Sequence, residues 1–296
     1  MSAVGAVRDR LGTVGDTRVA LLVPLVVFDL LVFVVPFGYL LRISLTERTG
    51  QGAFVRGSWS LEGFGYVFGT PTLVDAFLFT LGFGVVATAV SVAVSTLYAY
   101  AIWRAQGALR VTLIAGVLVS MFTAIVVKLF AAVLVFSPDG VVNQLLLAAG
   151  LIDTPLMLVN NAVGAVLGQL YIVVPYSVLA VYSVLSTVDE SLVEAARDLG
   201  AGRVRAFRAV VVPHTVPGLL VAGVISFTWS VGSFAAPLLL GSGSERTAGM
   251  AVSDLLLERF DWPAAAALAV LVTATVFLAL VTVRIGLGRV GVNADG

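Results

Sequence analysis

An all-α fold, a polytopic membrane protein with six transmembrane helices, is what this sequence predicts, and three observations carry it. Of 296 residues, 59% are hydrophobic and only 11% charged, against roughly 25% charged in an ordinary soluble domain. The apolar residues gather into six runs long enough to cross a hydrocarbon core of about 30 Å. Arginine alternates between the two sides: the tails and the segments after the second and fourth runs hold eleven, the other three connections five. By the positive-inside rule both termini are then cytoplasmic. The expected division is a cytoplasmic tail over 1–18, a transmembrane domain over 19–285 and a second cytoplasmic tail over 286–296.

The first run, Val19–Leu41, follows a tail bearing Arg8, Arg10 and Arg18. It is too long for the core of a signal peptide, and no small-residue cleavage site follows, so it reads as a helix that stays. Leu73–Tyr100 is the second helix, with Trp103 as an expected interfacial aromatic. Val111–Phe136 is the third and contains Lys128, the chain's one lysine. Pro138-Asp139-Gly140 marks a turn, and the apolar patch Val141–Leu151 is too short to span. Ala162–Leu185, with Pro175 inside it, is the fourth helix; Val216–Leu240 is the fifth. After a polar stretch over 241–263, Ala264–Ile285 is the sixth.

A charged island over 186–217, STVDESLVEAARDLGAGRVRAFRAVVVPHTVP, interrupts this pattern. Thr187, Asp189 and Ser191 are candidate N-caps for a helix, and Gly200 suits the left-handed position that ends one. Within it Leu192, Ala195, Ala196 and Leu199 form an apolar stripe narrow enough for another surface to approach closely. Glu190, Glu194 and Asp198 line up at four-residue spacing, where like charges repel unless a cation relieves them. A second short helix, Arg203–Val212, is expected to stop at Pro213. An amphipathic helix lying on lipid headgroups is the plainer reading of the same residues.

The spacing says more. Glu194-Ala195-Ala196, three residues, Gly200, nine residues, Val210, one residue, then Val212-Pro213 resembles the EAA loop of binding-protein-dependent ABC importer permeases. That family writes Ile and Leu where this chain has Val210 and Val212, exchanges of one aliphatic residue for another. The resemblance extends over most of Phe64 to Leu280 and is nearest to the spermidine/putrescine-type permeases. It is carried by Gly140-Val141-Val142-Asn143-Gln144, Tyr171, Pro175-Tyr176, Phe234, Pro237 to Gly241 and Asp261-Trp262-Pro263. It implies a multi-pass permease of a prokaryotic inner membrane, paired with a second permease subunit, identical or homologous. ATPase subunits would dock through Glu190, Glu194, Ala195, Ala196, Asp198, Gly200, Val210, Val212 and Pro213, and an extracytoplasmic binding protein would deliver a polyamine. Related permeases for ferric iron, sulfate, phosphonates or thiamine share several of these features.

Composition fits such a division of labour. A nucleotide-binding P-loop needs Gly-Lys followed by Ser or Thr, and Lys128 stands in VVKLF, so ATP and Mg belong on the partner ATPase and no cofactor or metal is expected on this chain. With no cysteine there is neither thiol chemistry nor a disulfide framework. Asp29, about 15 Å into the first helix, is either a ligand in the substrate path or a neutral carboxyl bonded to a neighbouring helix. Tyr171, Tyr176 and Trp229 are the expected aromatic wall of that path. Lys128 is expected to snorkel toward the outer interface in a structural or gating role, and His214, the one histidine, to make an interfacial hydrogen bond. An ion-coupled secondary transporter or channel, the competing class, needs more membrane-depth acids than Asp29 alone.

Overall fold

The computed structural model describes residues 22–49 and 54–290; the expected tail over 1–18 lies outside the described residues. Every described element is helical, and six segments are long and apolar enough to cross a membrane. In chain order the helices are α1 (Leu22–Ser44), α2 (Glu62–Gly69), α3 (Pro71–Arg104), α4 (Gly107–Phe122), α5 (Ile125–Phe136), α6 (Val141–Ala148), α7 (Ala162–Leu185) and α8 (Glu190–Asp198). They continue with α9 (residues 203–231), α10 (Ala235–Leu240), α11 (Ala248–Leu257) and α12 (Trp262–Val290), the last running into the expected C-terminal tail.

Helices α3, α7 and α9 form the centre, and small residues let them touch. A Cβ on Gly84 of α3 would come within 2.6 Å of the Val231 side chain on α9, and one on Gly218 of α9 within 3.0 Å of the Ala180 carbonyl on α7. Where the three meet, the hydroxyls of Ser91, Ser177 and Ser226 close a hydrogen-bonded triangle of 3.2, 2.7 and 2.9 Å. Between apolar helices in lipid, such bonds are worth about 0.6 to 2 kcal/mol each. Just beyond α9, Ser233 donates to Gln169 Oε1 of α7 at 2.7 Å.

The third membrane-length segment is Ile125–Ala148, which takes in the start of the patch expected to be too short to span, and not the single rod expected over 111–136. Thr123 and Ala124 are extended, with ψ of 134° and 138°, and split it into α4 and α5. A straight helix would carry Phe136 about 24 Å beyond Ser120, yet both line one groove with Gly116 and Tyr171. Helix α5 therefore folds back across α7, placing the Leu129 side chain 3.3 Å from where a Gly168 Cβ would be. The turn into α6 is tight: a Cβ on Gly140 would sit 2.4 Å from the Val135 carbonyl. Asn143 clamps it, donating to the Ser137 and Leu156 carbonyls and accepting from Leu156 N at 2.7 Å. Helices α10 and α11 make a similar detour around the expected loop over 241–263, since Thr247 donates back to the Ser233 carbonyl and the Ala248 amide donates to Thr80 of α3.

Pro213 does not stop a helix. Residues 203–231 run on as one, through a π turn at Phe207–Val211 in which Val212 N donates five residues back to the Phe207 carbonyl. The same device precedes Pro36, where Val35 N donates to the Leu30 carbonyl. Proline lacks an N–H and crowds the preceding turn; a widened turn just before it absorbs both defects without breaking the rod.

Outside the membrane region, Arg48 ties the segment after α1 to the start of α12. Its Nε donates to Asp261 at 2.9 Å, and its guanidinium lies 3.6 Å from the Tyr66 ring centre. Asp261 also accepts from the Ala264 amide, capping α12. The hydrogen bond and charge of Asp261 push the Arg48 pKa up, so the latch persists across the physiological range.

Candidate coupling surface and membrane path

Helix α8 begins at Asp189, whose carboxylate accepts from Ser191 N at 2.9 Å and is thereby held below its ordinary pKa. It ends where Gly200 has φ of +87°. Gly200 N donates to the Arg197 carbonyl and Ala201 N to the Ala196 carbonyl, the paired bonds of a Schellman motif. Both ends of the island's first helix are therefore fixed locally by residues the sequence singles out.

The helix is anchored on one side and open on the other. Val193, 6% exposed, packs into a core cluster with Leu185, Ala206 and Val211, and half-buried Ala196 joins it. The same cluster includes Ala99, Ile102 and Trp103 of α3, and Phe207 meets the Tyr100 ring edge-on at 4.9 Å. Trp103, near the end of α3, is buried in this cluster. Of the predicted stripe only Ala196 faces this core; Leu192, Ala195 and Leu199 are exposed, Leu199 to 90%. Glu194, Arg197 and Asp198 border an open depression with Gly200, Ala201 and Gly202. Glu194 and Asp198 are exposed and make no ion pair among the described residues; of Glu190 only the backbone is described.

The later motif residues sit at the joint between the island and the membrane helices. Val210 and Val212 are half-buried and flank buried Val211, while Pro213 is exposed just beyond the π turn. His214 Nδ1 lies 2.6 Å from the Val210 carbonyl, the expected hydrogen bond of an exposed histidine. Val193 of α8 and Ala206 and Val211 of α9 are buried in one cluster with residues of α3 and α7.

At membrane depth the structure brings together only part of the expected path. Tyr176 of α7 and Trp229 of α9 stack with ring centres 5.6 Å apart. Tyr171, five residues from Tyr176, projects from another side of α7 into the apolar groove beside α4. Asp29 is exposed on a part of α1 whose neighbouring side chains are all exposed too; it joins neither group. Lys128 is 3% exposed, its stem buried in the packing of α5. Sequence reasoning missed Val193, hidden between the motif residues, and the serine triangle, whose members are scattered over three helices.

A bundle with six apolar, membrane-length helices and a short charged helix packed against its centre defines a polytopic membrane protein. The comparisons give the family. Residues 111–289 match the "Binding-protein-dependent transport system inner membrane component" family, and the chain belongs to it: it is a permease subunit of an ABC importer, embedded in the inner membrane by several passes. It is similar to the spermidine/putrescine transport system permease protein PotB of Escherichia coli, 26% identical over 230 residues covering 78% of this chain and 83% of that protein. PotB of Haemophilus influenzae is 24% identical, with 83% and 86% covered. The sulfate transport system permease protein CysT of Salmonella typhimurium is 32% identical over a shorter stretch, 45% of this chain and 49% of that one. A bacterial alginate ABC transporter solved with alginate pentasaccharide-bound periplasmic protein superposes at a TM-score of 0.76, over 94% of this chain and 96% of the other, with 17% identity; it shows the same fold.

Proposed function

We propose that residues 19–285 form one half of the translocation path of an importer for small polyamines of the spermidine/putrescine kind, with ATP hydrolysed on docked partner subunits. A second permease subunit completes the path, and a binding protein delivers the solute from the far side. The observation that carries the docking assignment is the open face of α8: an acidic row beside an uncovered leucine, on a helix whose other face is fixed into the core. Exposed apolar surface rimmed by charge marks a protein contact, and Glu194 and Asp198 suit a cationic groove on the ATPase. The arginine distribution supports placing this face and both termini in the cytoplasm.

The polyamine assignment rests on the PotB-type relatives, which match over more than three quarters of the chain. Few acids stand at membrane depth, so affinity for a polycation resides in the binding protein, while the Tyr176–Trp229 pair supplies a weakly selective aromatic wall. Reconstitution of the chain with its ATPase, its second permease subunit and the binding protein tests both parts. Binding-protein-dependent, ATP-driven spermidine or putrescine uptake that Glu194→Lys abolishes is the expected result. Uptake of sulfate but not polyamine under the same conditions would overturn the solute, and wild-type coupling in Glu194→Lys would overturn the docking surface.

A further inference from the structure

The apolar groove beside α4 is not accounted for by the path proposed above. It holds about 350 Å³ and is lined by Leu167, Tyr171 and Val178 of α7, Gly116 and Ser120 of α4 and Tyr98 of α3, with no charged side chain in its walls. At about 100° per residue, Leu167, Tyr171 and Val178 share one side of α7 and Tyr176 lies on the opposite side. The groove therefore faces away from the Tyr176–Trp229 pair. Its Tyr98 hydroxyl is already engaged, donating to the Leu113 carbonyl at 3.2 Å. Such a trough has nothing to offer a polycation, whereas a hydrocarbon chain enters it without giving up any polar contact.

Two features specify which hydrocarbon. From Leu167 to Val178 the groove runs about 16 Å along α7, one leaflet's share of a hydrocarbon core of about 30 Å. One turn beyond Val178, toward the end of the bundle that carries α8, the Arg110 guanidinium donates to the Tyr182 hydroxyl and stands 5.9 Å from the ring centre. This contact ties the start of α4 to α7 and holds the guanidinium at the groove's end. Arg110 is exposed and makes no ion pair among the described residues; tyrosine orients its charge without neutralising it. A planar guanidinium matches the oxygens of a phosphate, and basic side chains at the ends of membrane helices attract anionic lipids. An arginine without a counter-ion, set at the end of an apolar trough one leaflet long, is complementary to a phosphate that carries an acyl chain.

We propose that the α4–α7 groove binds one anionic phospholipid, its phosphate on Arg110 and an acyl chain along Gly116, Ser120 and Tyr171. The lipid completes the packing between α4 and α7. The site stands or falls independently of the polyamine assignment.

The chain contains no cysteine, so Ser120→Cys and Val119→Cys each supply a sole thiol at nearly the same depth. The first lies on the groove and the second, 68% exposed, outside it. With the full chain and its partners in bilayers, a bimane on either thiol is quenched on contact by acyl-brominated phosphatidylglycerol or acyl-brominated phosphatidylcholine. At Ser120→Cys, half-maximal quenching is expected at an about fivefold lower mole fraction of the phosphatidylglycerol, the preference that one basic side chain at a membrane surface supplies. At Val119→Cys the two lipids should quench alike. Adding Arg110→Gln should erase the preference at Ser120→Cys, Arg110→Lys should keep most of it, and Arg208→Gln, at another exposed arginine, should leave it unchanged. Because each variant supplies its own ratio, lower yield of folded protein does not mask the result. Equal quenching by the two lipids at Ser120→Cys while Arg110 is present, or a preference that survives Arg110→Gln, would overturn the proposal. So would a bimane at Ser120→Cys that neither lipid reaches, since the groove is then covered by protein such as the second permease subunit.

Discussion

Replacing Gly200 with valine isolates the backbone geometry that ends α8. At φ of +87° the residue lies where an L side chain is disfavoured, and no atom lies within 4 Å of the position a Cβ would take. Steric crowding therefore contributes nothing, and the whole effect is conformational. A β-branched residue in a left-handed conformation costs about 2 kcal/mol, whereas asparagine, which tolerates that region, costs under about 1 kcal/mol. At 1.4 kcal/mol per tenfold, Gly200→Val lowers the ratio of closed to open Schellman turn roughly 30-fold, and Gly200→Asn less than about fivefold. If the ATPase selects the closed turn, its affinity falls by up to those factors. Titrating detergent-solubilised variants with the ATPase subunit, with Leu199 and the acidic row unchanged, reads this directly. Equal affinities for Gly200→Val and Gly200→Asn would refute the reasoning, because the left-handed cost is what the structure makes different between them.

Other expectations follow from the same geometry. Glu194→Lys should leave membrane insertion intact while weakening ATPase retention during purification; retention at the wild-type level with normal uptake would count against a cationic groove. Asp29→Asn should change turnover by no more than about threefold and leave half-saturation unchanged, since Asp29 is exposed on α1 and stands apart from the Tyr176–Trp229 pair, and a side chain that does not touch the solute cannot stabilise it in passage; a large loss of affinity in uptake would make it a ligand. Ser177→Val removes the hydroxyl shared by two bonds of the serine triangle and should lower stability in detergent by about 1 to 3 kcal/mol, an unchanged melting temperature being the contrary result. The Asp189 pKa is depressed by its bonds to Ser191, so the cap is complete above the ordinary carboxylate range and lost as pH falls through the lower folded value; amide-exchange protection at the start of α8 should fall only in acid, and Asp189→Asn should flatten that fall.

What the sequence made legible was local or compositional. Gly200 could be read because a left-handed helix end strongly favours glycine, and Gly140 because Pro138-Asp139-Gly140 punctuates the chain at a turn with no room for a Cβ. The membrane helices followed from hydrophobic length. The break at Thr123-Ala124 was hidden because neither residue punctuates a helix, and MFTAIVV is as apolar as the segments beside it; the fold-back comes from packing of Leu129 against Gly168. Pro213 misled for the opposite reason. Proline usually ends a helix in water, but here the π turn at Phe207–Val211 takes up the missing bond, and tertiary packing of Val211 and Phe207 holds the rod together. The residue that anchors α8, Val193, lies outside the apolar stripe, whose Leu192 and Leu199 stay exposed. Composition cannot distinguish a face that packs within the subunit from one left for a partner.

The most direct test uses that uncovered face. Leu199→Cys, the sole thiol of an otherwise cysteine-free chain, carries a short photo-crosslinker in membranes containing the assembled transporter. An adduct with the ATPase subunit is expected, changed in yield by ATP and absent from a control at exposed Asp153→Cys. Efficient labelling at Leu199→Cys that yields adducts with lipid alone, while the ATPase remains bound to the complex, would contradict the docking assignment and show α8 to be a helix lying on the membrane surface.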